Sequence, residues 1–131
     1  DTGAFIALAN STDQYHEAAK DSLEETTRTG ALFVTSNFIL DETYTRIRRK
    51  AGLRVAVTFG EAIRSNRQLQ IVTVDRGIEQ KAWEIFKKYA GHSFSYTDCT
   101  SFALMTQKKI KEAFAFDKDF RIFGFQVTPE T

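Results

Sequence analysis

The residues of this chain whose types could do chemistry are carboxylates set beside apolar segments. Asp98 sits inside SFSYTDCTSFALM (Ser93–Met105), immediately ahead of a run built for burial. Asp117 follows the apolar stretch AFAF (Ala113–Phe116), and Asp1 precedes TGAFIAL. Glu42 falls about one turn into a helix predicted after Leu32–Thr35, with Phe38 and Ile39 at i−4 and i−3. Carboxylates brought together repel one another and raise each other's pKa values. A divalent cation relieves that repulsion, and oxygen-only ligands that leave room for water suit Mg²⁺ or Mn²⁺. Each acid also has a purely local use. Asp98 can serve the first turn of a helix capped by Ser95 or Thr97. Glu42 can pair with Arg46 at i+4. Asp117 can be turn chemistry in Phe-Asp-Lys-Asp-Phe, and Asp1 can be simply exposed. Asp41 lies about 100° round the helix from Glu42 and is the poorer candidate. Asp75, after the strand-like VTV, reads as a helix cap.

The elements that must position these acids follow from periodicity. Tyr15, Ala18, Ala19 and Leu23 keep helical spacing, with Arg28-Thr29-Gly30 as the stop. Leu32-Phe33-Val34 reads as a buried strand, and Thr35-Ser36-Asn37 offers caps to a helix striped by Leu40, Tyr44, Ile47 and Ala51. Gly52 ends that helix, and another runs from Leu53 to Ser65-Asn66. Leu69–Val74 (LQIVTV) is the clearest strand. The Asp75 helix carries Ile78, Ala82, Ile85, Phe86 and Tyr89 on one face and closes at Gly91. The Asp98 helix runs to about Lys109, AFAF is a strand, 117–119 a turn, and Phe125–Val127 a last short strand. No assignment is made for Phe120–Phe123. Helices alternating with short apolar strands predict an α/β fold with a mainly parallel sheet covered on both faces. Ligands in such folds bind beyond the carboxyl ends of the strands, where acids following strands collect.

Composition narrows the classes. The 131 residues make one domain with enough apolar material, 42%, for a real core. Twelve Phe residues are predicted to fill it. The longest purely apolar run, Ala4–Ala9, is far too short to cross a membrane. The lone Cys99 excludes an internal disulfide, suits a reducing and hence cytoplasmic setting, and reads as a small core residue. His16 and His92 read as surface residues, so a histidine-based mechanism is not expected. No Gly-rich loop is present to cradle a nucleotide phosphate. A phosphoaspartate receiver with Asp75 as acceptor would need paired acids after its first strand, which Asp1-Thr2 does not provide.

The chain resembles the PIN-domain nucleases, and among them the VapC-like toxins. DTGAFIALAN followed by DQYHEAA is similar to the family's opening helices. FVTSNFILDETYTRIRRKAG is similar to the strand–helix segment that bears its second acid. SYTDCTSFALM matches its third-acid motif, and EAFAFDKDFRIFGF its closing strand, fourth acid and Phe-x-x-x-Gly-Phe. The four motifs occur in family order, their acids 41, 56 and 19 residues apart. The resemblance spans residues 1–131 as a single PIN-like domain and implies a three-layer α/β/α fold. The family's first strand, ahead of the first acid, has no counterpart before Asp1. A segment preceding Asp1, or something else in that slot, is therefore expected.

The resemblance implies a Mg²⁺- or Mn²⁺-dependent endoribonuclease in which a metal-activated water attacks a phosphodiester, leaving 5′-phosphate and 3′-hydroxyl ends. Asp1, Asp98 and Asp117 would hold the metal directly or through water, and Glu42 would be a ligand or orient the attacking water. Thr2, Thr97 and Asp119 would be auxiliary. Setting the four acids aside leaves 13 acidic side chains against 18 Lys and Arg, a remainder of +5. Arg46, Arg49, Lys50 and Lys118 are the candidate RNA contacts on that basic rim. RNA, an antitoxin protein and a second copy in a homodimer are the partners the resemblance implies. A non-catalytic PIN-like binding module is the alternative. Loss of site acids would favour it, but all four positions are filled.

Overall fold

The computed structural model describes residues 1–129. Its elements run α1 (Thr2–Ala9), α2 (His16–Arg28), β1 (Phe33–Ser36), α3 (Asn37–Ala51), α4 (Leu53–Ser65), β2 (Leu69–Val72), α5 (Arg76–Lys88), α6 (Tyr96–Lys108), β3 (Glu112–Phe114), α7 (Asp119–Phe123) and β4 (Gln126–Thr128). The α/β alternation and the parallel pairing agree with the pattern read from the sequence. β1 pairs with β2, Phe33 opposite Leu69 and Ser36 opposite Val72, and β3 pairs with β4, Glu112 opposite Gln126.

The strands form two separate two-stranded sheets rather than one continuous sheet. Among the described residues no strand joins β1 to β3. Between them runs a groove of about 630 Å³, lined by Phe33–Ser36, by Glu112–Phe114 and by α1 residues Ala4, Phe5 and Leu8. The backbone nitrogen of Asp1 donates to the Phe114 carbonyl at 2.7 Å, so α1 enters the molecule at the carboxyl end of β3.

Local chemistry explains the helix boundaries. Ser36 closes β1 and caps α3, its Oγ accepting from the Ile39 N–H at 3.2 Å. Gly52 takes φ 93° and ψ 170° between α3 and α4, a conformation open to glycine alone. Asp75 caps α5 through the Ile78 N–H at 2.9 Å, as its position after VTV suggested. α6 is buried all round over its middle because it is central: all seven residues from Cys99 to Met105 are buried. Phe120–Phe123, which periodicity does not assign, is helical.

The main core joins α5, α6, β3, α7 and β4 around Phe102, which is 0% exposed. Phe102 stacks on Phe123 at 4.4 Å and meets Phe94 and Phe120 edge-on at 5.1 Å each. A smaller cluster of Ile6, Ile47 and Ala56 ties α1 to α3 and α4. The prediction that the phenylalanines fill the core holds in part: Phe38, Phe123 and Phe125 pack against the main cluster and Phe59 against the smaller one. Only Phe94, Phe102 and Phe120 are buried, and Phe86 lies 43% exposed beside Trp83. Among the described residues no helix is long and apolar enough to cross a membrane.

Candidate metal and nucleic-acid site

Two helix starts and one strand exit deliver the acids to a single pocket of about 510 Å³. Asp1 is the N-cap of α1, Oδ1 accepting from the Ala4 N–H at 3.0 Å. Asp98 lies in the first turn of α6. Asp117 follows β3 after Ala115 and Phe116, and its Oδ1 accepts from the Asp119 N–H at 2.9 Å. The strand ends at Phe114, two residues earlier than AFAF predicts, which frees Phe116 from the ladder. Glu42 comes from the first half of α3. These four acids, Asp119 and Thr2 all line the pocket, together with Arg46 and Lys50. Arg49, Lys118 and Thr97 are not in its wall. Thr97 instead offers its carbonyl to the Thr100 hydroxyl at 2.6 Å.

The local roles and the shared pocket prove compatible. Ser95 and Asp98 make a reciprocal capping box. The Ser95 Oγ accepts from the Asp98 N–H at 3.0 Å, and the Asp98 Oδ2 accepts from the Ser95 N–H at 3.1 Å. Only one carboxylate oxygen is used, so the cap also orients the side chain. Burial pushes the Asp98 pKa up to about 6; the bonds from Ser95 oppose that rise, while the charges of Asp117 and Asp119 add to it. Glu42 approaches Arg46 at 3.9 Å, but Arg46 is 59% exposed, so the pair is loose and well solvated. Asp41 and Asp75 are absent from the pocket wall.

The donor set fits a hard, hydrated cation. Among the described residues no three His, Cys, Asp or Glu side chains converge tightly enough to cage an ion. The pocket offers oxygen donors at a distance, which suits an ion that keeps several waters and is held through one or two carboxylates. Thr2 supplies a second sign: its hydroxyl is buried, lines the pocket and has no hydrogen-bond partner. A buried hydroxyl of that kind is ordinarily satisfied by a bound water. Cys99, beside Asp98, is fully buried, and desolvation together with the Asp98 charge pushes its thiol up to about 11, so it is no nucleophile.

Sequence reasoning misses several pocket residues, among them Asp13, Tyr15 and Phe116, and misplaces His16 beside them. Helical spacing puts Tyr15 on the buried face of the second helix; that helix starts at His16, and Tyr15 lies in the preceding turn, 38% exposed and in the pocket wall. Strand propensity puts Phe116 in a ladder it does not join. His16 is not a free surface residue: its Nδ1 is 2.8 Å from the Ala7 carbonyl, tying this turn to α1. The repeated aromatic spacing in AFAF carries no signal for the role of its last residue.

Known proteins share this fold. The PIN domain family model matches residues 1–126. The chain is 37% identical over 131 residues to the 23S rRNA-specific endonuclease VapC20 of Mycobacterium tuberculosis, covering 99% of this chain and 97% of that protein. It is 34% identical over 114 residues to a VapC ribonuclease of Archaeoglobus fulgidus, 85% of this chain and 71% of that one. The crystal structure of Mycobacterium tuberculosis VapC20, a Sarcin-Ricin loop cleaving toxin, superposes with a TM-score of 0.88 and 36% identity, over 95% of this chain and 92% of that chain.

Proposed function

This chain belongs to the PIN-domain family, and on that premise we propose that it is a Mg²⁺- or Mn²⁺-dependent endoribonuclease of the VapC kind. The observation that carries the reading is the composition of one pocket: Asp1, Asp13, Glu42, Asp98, Asp117 and Asp119 line it from distant parts of the sequence, together with Arg46 and Lys50. The activities of the relatives, an rRNA endonuclease and a ribonuclease, support RNA as the substrate.

Asp1, Asp98 and Asp117 would hold the cation, directly or through water, and the Ser95 capping box fixes the Asp98 side chain for that task. When bound, the cation supplies a Lewis acid that lowers the pKa of a water and offsets phosphate charge. Glu42 orients the attacking water opposite the leaving oxygen. The new bond joins water oxygen to phosphorus, the bond from phosphorus to O3′ breaks, and the departing O3′ gains a proton. The products are a 5′-phosphate and a 3′-hydroxyl. Arg46 and Lys50 bind flanking phosphates, and the α1 and α6 amino ends add positive potential at the pocket. A cytoplasmic toxin, held in check by an antitoxin and acting as a homodimer, completes the reading.

The test is cleavage of a structured RNA with Mg²⁺, with Mn²⁺ and with EDTA, beside the Asp117→Asn protein. Metal-dependent cleavage lost in the variant is the expected result. Absence of cleavage with either ion overturns the nuclease reading, and cleavage undiminished by EDTA overturns its metal dependence.

A further inference from the structure

One wall of the acid pocket is aromatic, with Asp13 in the turn beside it. Tyr15 and Phe116, 101 positions apart in the sequence, stack there with ring centroids 4.6 Å apart and planes at 11°. Both residues line the same pocket as Asp1 and Asp117, and Phe116 is the residue immediately before Asp117. The turn that carries Tyr15 is held in place. The Tyr15 N–H donates to the Asp13 Oδ1 at 2.8 Å, the His16 N–H to the Asp13 carbonyl at 3.0 Å, and the His16 ring reaches Ala7. Tyr15 is 38% exposed, so part of it stays open to solvent. Fixed in a near-parallel stack at the rim of a phosphate-binding pocket, it presents a flat aromatic surface already ordered for a ligand.

We propose that the Tyr15–Phe116 pair is a stacking platform for one nucleobase of the RNA, next to the phosphate that is cut. The proposal rests on the nuclease reading and adds to it a residue that selects substrate geometry. The pocket then has three walls: carboxylates for the cation, Arg46 and Lys50 for flanking phosphates, and an aromatic pair for a base. Stacking on an aromatic side chain tolerates any base but requires an unstacked one, so it favours a loop or bulge over a continuous duplex. Losing one such stack weakens binding about 5- to 150-fold.

The experiment uses the full chain with Mg²⁺ or Mn²⁺ and a synthetic RNA hairpin that the wild-type protein cuts at one bond. KM and kcat are measured for wild type, Tyr15→Ala and Tyr15→Phe, on the intact hairpin and on hairpins with an abasic site at each nucleotide flanking the cut. The expected result is a KM raised about tenfold in Tyr15→Ala, with most of the loss recovered in Tyr15→Phe, which keeps the ring. One abasic position should cost wild type a similar factor and cost Tyr15→Ala almost nothing. Additive losses, or no abasic effect in wild type, overturn the platform while leaving the nuclease reading intact. Absence of wild-type cleavage of any RNA overturns both. A 2-aminopurine at the same position provides a check that needs no variant. Its fluorescence should be quenched on binding to wild type, and no quenching at any flanking position overturns the platform.

Discussion

Replacing Asp98 by Asn separates a carboxylate that caps a helix from one that holds a cation. Asn accepts a capping hydrogen bond about as well as Asp, so the bond from Ser95 survives. What disappears is a negative charge in a partly desolvated place. The Asp98 pKa rises from 3.8 to about 6 in the folded protein. At about 1.4 kcal/mol per pH unit that gap is worth at most about 3 kcal/mol. Asp98 is only half-buried, so screening by water brings the figure to about 1–1.5 kcal/mol. The sign follows from linkage. Below pH 3.8 the carboxyl is protonated in both states and the substitution is neutral in charge. Between 3.8 and about 6 the unfolded chain ionises while the folded one keeps its proton, so wild type loses stability as pH rises; above about 6 the loss is complete. In EDTA at pH 7 the Asp98→Asn protein should therefore melt about 3–6 °C above wild type, and the difference should vanish at a pH below 3.8. With Mg²⁺ present, wild type gains stability from binding and the variant gains less. Activity should fall roughly a hundredfold or more, the scale of losing one preorganised electrostatic partner. Thermal melts across pH and a cleavage assay suffice. Full activity in the variant would return Asp98 to the role of a simple cap, and an unchanged Tm in EDTA at pH 7 would refute the burial argument.

Three further outcomes follow from the geometry. Arg46→Gln and Lys50→Gln should weaken RNA binding and make the dependence of log K on log salt shallower by about 0.7 for each phosphate left unpaired. Arg49→Gln, outside the pocket, should leave the slope alone; filter binding from low to high salt decides. Asp75→Asn keeps the α5 cap and lies outside the pocket wall, so it should cleave RNA within about twofold of wild type and melt within about 0.5 kcal/mol of it. A strand-forming apolar segment fused ahead of Asp1 should occupy the groove between β1 and β3 and pair with both free edges. The fusion should raise Tm and slow exchange of amides in β1 and β3, whereas unchanged amide protection would show that the groove does not take a strand.

Much of this protein is legible from local chemistry. The cap at Ser36, the stop at Gly52 and the cap at Asp75 are short-range interactions between residues within four positions of each other, so the sequence states them outright. Helical and strand periodicity likewise set the α/β order, and the four acid motifs announce the family. The boundaries that differ depend on distant partners. AFAF has strand propensity through Phe116, yet among the described residues β4 pairs from Gln126 to Thr128 and β3 ends opposite it at Phe114. Tyr15 fits a helical stripe, yet it lies in the turn before α2, stacked on a phenylalanine about a hundred positions away in the sequence. That the acids share a pocket, that Arg46 and Lys50 join them while Arg49 and Lys118 do not, and that Tyr15 meets Phe116 were decided by tertiary structure. Periodicity assigns a face to a side chain, but the neighbours across that face are fixed only when the helices and strands pack, because meetings between residues a hundred positions apart leave no regular trace along a single chain.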